Sequence, residues 1–206
     1  MVDINKHILT LSTEEAIEII NIFIDRGYTD LILTIPILED GNLHQQEALE
    51  KFYILKKQIN GINLYLGNEV SYHFKLIHHL KNNNILTLNN SNYLLLKLPN
   101  DEEPLQLNAL FDVLKGFNII ISCVDTYKYY SYKDLVEMKN KGALFLIEMK
   151  NIYKGKGKKL LKKHLVDFIA SYDEVSTPIS KPRYLEKEYF EEITNSNFQK
   201  ILKLDL

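Results

Sequence analysis

The sequence holds one cysteine, Cys123, which excludes an internal disulfide framework and sets the expectation of a reducing compartment. No apolar run reaches the length of a membrane span. The N-terminus lacks the basic start, apolar core and small-residue cleavage site of a secretory signal. These absences lead to an expected cytoplasmic location without a transmembrane segment, with peripheral membrane association left open. Neither sign of charge dominates, since 25 Lys+Arg stand against 27 Asp+Glu. That balance gives no global electrostatic footprint for DNA or RNA, so no nucleic-acid partner is expected. No glycine-rich phosphate fingerprint follows the first apolar run, which argues against a dinucleotide-binding fold. No linker, repeat or low-complexity tract breaks the chain, and a single domain over residues 1–206 is the expectation.

What is present is an alternation. Short apolar runs of β type occur at Asp3–Leu9, Asp30–Thr34, Asn63–Leu66, Tyr93–Leu98, Phe117–Ser122, Ala143–Ile147 and Val166–Ala170. Most are continuously apolar, as strands are when both faces of the sheet are covered. Helical stretches separate them. Ser12-Thr13-Glu14-Glu15 has capping-box spacing and places a helix start near Thr13, with Gly27 as its stop. Further helices are predicted over Gln45–Gln58, His73–Lys81, Pro104–Lys115, Tyr132–Asn140, Lys158–His164 and Arg183–Ile193. Repeated β-α units imply a parallel sheet with helices outside, either an open doubly wound sheet or a closed barrel. In a barrel the chemistry collects where the strands end. Those ends carry Asn5 and His7, Thr34 to Ile37, Gly67-Asn68-Glu69, Ser122 to Asp125, and Ser171 to Glu174. On a regular strand, Asn5 and His7 share one face and Ile4 and Lys6 the other.

Three stretches carry a resemblance to a known family: GNEVSYHFKLIHHLKNNNILTLNNSNYLLLKLP (67–99), NKGALFLIEMKNIYKGKGKKLLKKHLVDFIAS (140–171) and NFQKIL (197–202). With these, the chain resembles proteins of the PHP (polymerase and histidinol phosphatase) type, specifically the bacterial capsule and exopolysaccharide tyrosine-protein phosphatases. The resemblance implies an α/β fold, a distorted (β/α)7 TIM-like barrel. Its members hydrolyse phosphotyrosine with a cluster of metal ions, usually three and often manganese. The family's first strand carries His-x-His, where this chain has Asn5 and His7. A Gly- and Asp-rich loop that supplies a carboxylate in the family is replaced here by the shorter LTLSTEE. The family's Thr-Pro-His becomes a stretch with Pro36 and Ile37, while the glutamate after the third strand is kept as Glu69. His-Pro-Glu-Arg becomes Cys123-Val124-Asp125-Thr126, and Ser-Asp-Ala-His becomes Ser171-Tyr172-Asp173-Glu174.

A metal cluster needs several oxygen and imidazole ligands in fixed positions. Isoleucine supplies none, tyrosine is a poor substitute for a carboxylate, and Thr126 lacks the charge with which an arginine grips a phosphoryl group. The resemblance therefore implies His7 and Glu69 as retained ligand positions. Asn5, Cys123 and Glu174 are further candidates for a reduced site. No cofactor is expected otherwise, and a divalent metal such as manganese is the candidate if there is one.

Four other features stand out. Lys154 to His164 reads KGKGKKLLKKH, with six lysines and no acid. It fits phosphate groups, an acidic partner or an anionic membrane, and fits equally a glycine loop followed by a solvent-facing helix. Lys158 and Lys159 are its candidate binding residues. Tyr127-Lys128-Tyr129-Tyr130-Ser131-Tyr132 follows the fifth strand; Tyr127, Tyr129 and Tyr130 would either form a binding surface at the barrel mouth or pack over its rim. His78 and His79 are adjacent and cannot face one way on a helix, while His73, at a predicted helix start near Glu69, could approach the mouth. Cys123 lacks the amide loop and following arginine that a cysteine phosphatase uses, so it reads as a buried thiol.

Three functional expectations follow. The first is a degenerate tyrosine-phosphatase homologue without catalysis, a binding or regulatory module around surface polysaccharide assembly. Its expected partner is a protein, a tyrosine kinase or another phosphotyrosine protein, and homo-oligomers are in keeping with the family. The second is an active metal-dependent phosphatase with a rebuilt, reduced site. A scaffold with an unrelated partner is a third.

Overall fold

The computed structural model describes residues 1–5, 8–37, 45–72, 76, 85–100, 107–172 and 180–202. Seven strands form one sheet in sequence order: β1 (Val2–Asn5), β2 (Asp30–Ile37), β3 (Asn63–Ser71), β4 (Tyr93–Lys97), β5 (Asn118–Ile121), β6 (Leu144–Glu148) and β7 (Phe168–Ala170). Every neighbouring pair is parallel. The seam between β7 and β1 is nearly closed. There Tyr172 N donates to Ile4 O at 3.1 Å, and Ser171 N donates to Asp3 Oδ1 at 2.8 Å. The result is the α/β barrel expected.

The helices with both ends among the described residues are α1 (Thr13–Asp25), α2 (Gln45–Gln58), α3 (Leu107–Val113), α4 (Tyr132–Asn140), α5 (Gly155–Leu161), α6 (Lys187–Glu191) and α7 (Asn197–Leu202). Ser12 caps α1 as expected: its Oγ accepts from Glu15 N at 3.2 Å, and Glu15 Oε2 accepts from Ser12 N at 3.0 Å. Gly27 ends that segment at φ +80°, a conformation that costs glycine little.

Alternation along the strands sorts the apolar residues into two layers. Val2, Ile4, Ile32, Leu95, Ile120, Leu146 and Phe168 form the packed interior. Helix α7 and the turn at Leu88 join that interior: Phe198 meets Phe168 edge-on at 5.1 Å. Leu31, Leu33, Ile35 and Leu64 face outward against Ala16, Ile20 and Phe23 of α1 and Phe52 and Leu55 of α2. Where β3 passes the Leu88 turn only glycine fits, because a Cβ on Gly67 would stand 2.6 Å from Leu88 Cδ2.

Several boundaries differ from the sequence expectation. β1 stops at Asn5, not Leu9; Ile8–Thr10 is a short 3-10 turn whose Ile8 and Leu9 bury against the outer layer. β2 and β3 run on past Thr34 and Leu66 because they pair with each other to Ile37↔Val70. Helix α5 begins at Gly155, three residues before the predicted start, and its Gly157 lies so close to Asn151 O that a Cβ would meet it at 2.7 Å. The predicted Arg183–Ile193 helix starts only at Lys187 as α6 and passes into a π turn at Glu192–Ser196, after which α7 follows beyond the predicted range. The helix predicted over His73–Lys81 falls outside the described residues apart from Leu76.

Candidate functional site at the barrel mouth

The C-terminal strand ends bring Glu69, Ser122 and Tyr172 together. Glu69 sits two residues before the end of β3, opposite Pro36 of β2 and Leu95 of β4, and is 2% exposed. A carboxyl so buried requires hydrogen-bond partners. Ser122, directly after β5, donates its Oγ–H to Glu69 Oε1 at 2.7 Å. Tyr172, directly after β7, donates its phenol to Ser122 Oγ at 3.4 Å. Its backbone takes φ +64°, which turns the ring into the interior cluster that also holds Cys123. Cys123 likewise has a positive φ, +48°, and is buried.

Around this chain lie further polar groups. Asp125 accepts from Glu148 N at 3.3 Å and from Asn151 Nδ2 at 2.6 Å. Burial pushes its carboxyl up, against those two hydrogen bonds. Lys150 pairs with the buried Glu148 at 2.7 Å. On the seam, Asp3 is fully buried, and burial raises its carboxyl to about 7 against the opposing bonds from Ser171 and Ile4. Thr126 donates its hydroxyl back to Cys123 O at 2.7 Å and closes the turn.

The tyrosine segment divides by burial. Tyr127 and Tyr130 are 2% and 4% exposed and pack edge-on at 5.7 Å, whereas Tyr129 is 49% exposed. Tyr127 accepts Leu98 N through its phenol at 2.9 Å, and burial drives that phenol well above its usual range. Tyr127 and Tyr130 thus pack over the rim, one of the two arrangements expected, and do not present an exposed surface. Lys156 holds the segment in place: its ammonium donates to Tyr127 O at 2.7 Å and Tyr130 O at 3.0 Å. Desolvation lowers its pKa. Lys158 lies partly covered and Lys159 exposed, both on α5.

Of the expected metal positions, His7 and Glu174 lie outside the described residues, as do His73, His78 and His79. Asn5 is the last residue of β1, in register with Leu33. Ile37, set by the resemblance at a histidine position, is buried in the outer apolar layer. Among the described residues no three His, Cys, Asp or Glu side chains come together. The described donors do not fit a three-metal cluster: the Glu69 carboxyl accepts from the Ser122 hydroxyl, which in turn receives the Tyr172 phenol, where such a cluster needs further ligands. A cleft of about 210 Å³ lined by Phe52, Tyr53, Lys56, Tyr65 and Asn89 opens between α2 and β3, away from these strand ends. Ser122 stood in the sequence only as a strand-end residue and Lys156 only as one of six lysines, and sequence reasoning gave neither a role. A lone serine after a strand, or one lysine among six, gives no local sign of its partner.

Comparison with known proteins places these features. A family model described as capsular polysaccharide synthesis, CpsB/CapC, matches residues 1–203. The chain is 29% identical to CapC of Staphylococcus aureus, named as a tyrosine-protein phosphatase, over 94% of this chain and 87% of that protein. In fold it is similar to structures reported for YwqE of Bacillus subtilis and CpsB of Streptococcus pneumoniae, described as metal-dependent tyrosine phosphatases. That match has a TM-score of 0.72 at 20% identity and covers all of this chain and 87% of the other. The inactive dihydroorotase-like domain of a Chaetomium thermophilum CAD-like multifunctional protein also matches, with a TM-score of 0.60 at 11% identity, over all of this chain and 79% of that one.

Proposed function

Because this chain belongs to the CpsB/CapC family of capsular polysaccharide synthesis, we propose that it serves polysaccharide assembly as a binding and regulatory module without phosphatase turnover. One observation carries the reading. Glu69, the retained carboxylate position, is engaged by Ser122, which in turn receives the Tyr172 phenol. Ile37 and Thr126, at further family positions, supply neither an imidazole nor a positive charge. The partner is a protein of the assembly machinery, a tyrosine kinase or another phosphotyrosine protein. The capsule link comes from the family, and the phosphotyrosine link from the name of the S. aureus relative.

The competing reading is an active phosphoesterase with a reduced metal site built from Glu69, His7, Cys123 and Glu174. It is favoured by the chemistry of those four side chains, each of which can ligate a divalent ion. The two readings separate in one experiment. The purified protein is analysed for bound metal, then assayed with added manganese on a phosphotyrosine peptide and on a small aryl phosphate. No bound metal and no turnover are expected. Stoichiometric metal, with turnover abolished by His7→Ala and Glu69→Ala, would establish the competing reading.

A further inference from the structure

Among the lysines of α5 and the turn after it, Lys156 serves the tyrosine segment at the barrel mouth. Lys156 points inward to the tyrosine segment, which leaves Lys158, Lys159, Lys162 and Lys163 on the outside. None of these four is in an ion pair among the described residues, although Lys115, Lys139, Lys141 and Lys150 all are. They stand at i, i+4 spacing, 158 with 162 and 159 with 163. The second of each pair lies in the turn after α5, and like charges brought this close repel. Two rings offset part of this. Lys158 and Lys162 lie over Tyr184, at 5.4 and 5.6 Å from its centroid, and Lys163 lies over Tyr132 at 4.4 Å. A face that concentrates unneutralised cations on fixed aromatic rings complements an anionic partner.

Two observations choose among anionic partners. The phenol of Tyr184 donates to Ile152 O and that of the nearby exposed Tyr153 to Ser180 O at 2.9 Å. With their hydroxyls already bonded to backbone carbonyls, these phenols are not offered to the headgroups that interfacial tyrosines meet at a membrane. The paired lysine spacing, moreover, repeats over one helical turn, which suits carboxylates spaced along a chain. We propose that Lys158, Lys159, Lys162 and Lys163, with Tyr184 and Tyr132, form a docking face for an acidic polypeptide segment of the protein partner.

This inference rests on the reading of the chain as a binding module. The test uses the full chain and a fluorescent twelve-residue glutamate peptide, with a glutamine peptide as control. Vesicles of phosphatidylcholine, with and without phosphatidylserine, form a second arm. Anisotropy should show binding of the glutamate peptide only, weakening as salt rises. Lys159→Glu with Lys163→Glu should weaken it at least about tenfold, because two attractions become repulsions. Lys57→Glu with Lys115→Glu, on α2 and beyond α3, should leave it unchanged, and circular dichroism should show the same fold in both variants. Equal binding of both peptides, indifference to the Lys159 and Lys163 reversals, or capture by phosphatidylserine vesicles without peptide binding would each overturn the proposal. Phosphotyrosine turnover would instead overturn the inactive reading, a separate outcome from any of these.

Discussion

Replacing Ser122 by alanine tests whether Glu69 is held by the protein or awaits a metal. The substitution removes one hydroxyl from a site where both Ser122 and Glu69 are buried, and with it the 2.7 Å hydrogen bond to the carboxyl and the acceptor of the Tyr172 phenol. Leaving buried polar groups without such a partner costs about 2 kcal/mol. For a chain of 206 residues, each kcal/mol corresponds to about 2–4 °C in melting temperature, so a fall of about 4–8 °C is expected. The assay is a thermal melt followed by circular dichroism, with and without manganese. A ligand present at a hundred times its dissociation constant stabilises by about 2.7 kcal/mol. If Glu69 is a structural acceptor, manganese leaves the wild-type midpoint where it is. If it is a metal ligand, manganese raises the midpoint by roughly 5–10 °C, and Glu69→Gln abolishes the rise. An unchanged melt in Ser122→Ala, or a manganese-dependent rise lost in Glu69→Gln, would refute the structural role assigned to this pair.

Two further perturbations probe the frame around the site. Gly67→Ala should destabilise by about 1–3 kcal/mol in urea unfolding, because the new Cβ meets not only the movable Leu88 Cδ2 but Leu88 Cα at 2.9 Å. A loss below about 0.5 kcal/mol would mean that the Leu88 turn yields. Asp3 makes stability depend on pH. Its folded carboxyl titrates at about 7 against 3.8 for the free group, so the unfolded chain releases the proton first as pH rises. Its contribution is therefore fully present below about pH 4 and is lost on the way to pH 7. Asp3→Asn should flatten that part of the stability profile, and a profile parallel to wild type would remove Asp3 as its source.

How far the fold could be read from the chain varies with the kind of information required. The capping box at Ser12 and Glu15 is a contact three residues long, and it forms as written. The seven apolar runs were legible because a strand covered on both faces must be apolar throughout. Their ends were less so, since a strand persists only while a neighbour offers hydrogen bonds. β2 and β3 extend each other to Ile37 and Val70.

The site divides along the same line. The residue types at the strand ends were set by the sequence alone. So was the concentration of lysines between 154 and 164. Which of them meet was decided only in three dimensions. Glu69 and Ser122 are 53 residues apart in the chain, Ser122 and Tyr172 are 50 apart, and each pair is joined by barrel closure. Six consecutive-looking lysines became one inward tether and an outward face because Tyr127 and Tyr130 offered carbonyls to Lys156 alone. Local patterning fixes periodicity and chemistry, whereas a side chain's partner depends on which distant strand end the sheet carries beside it.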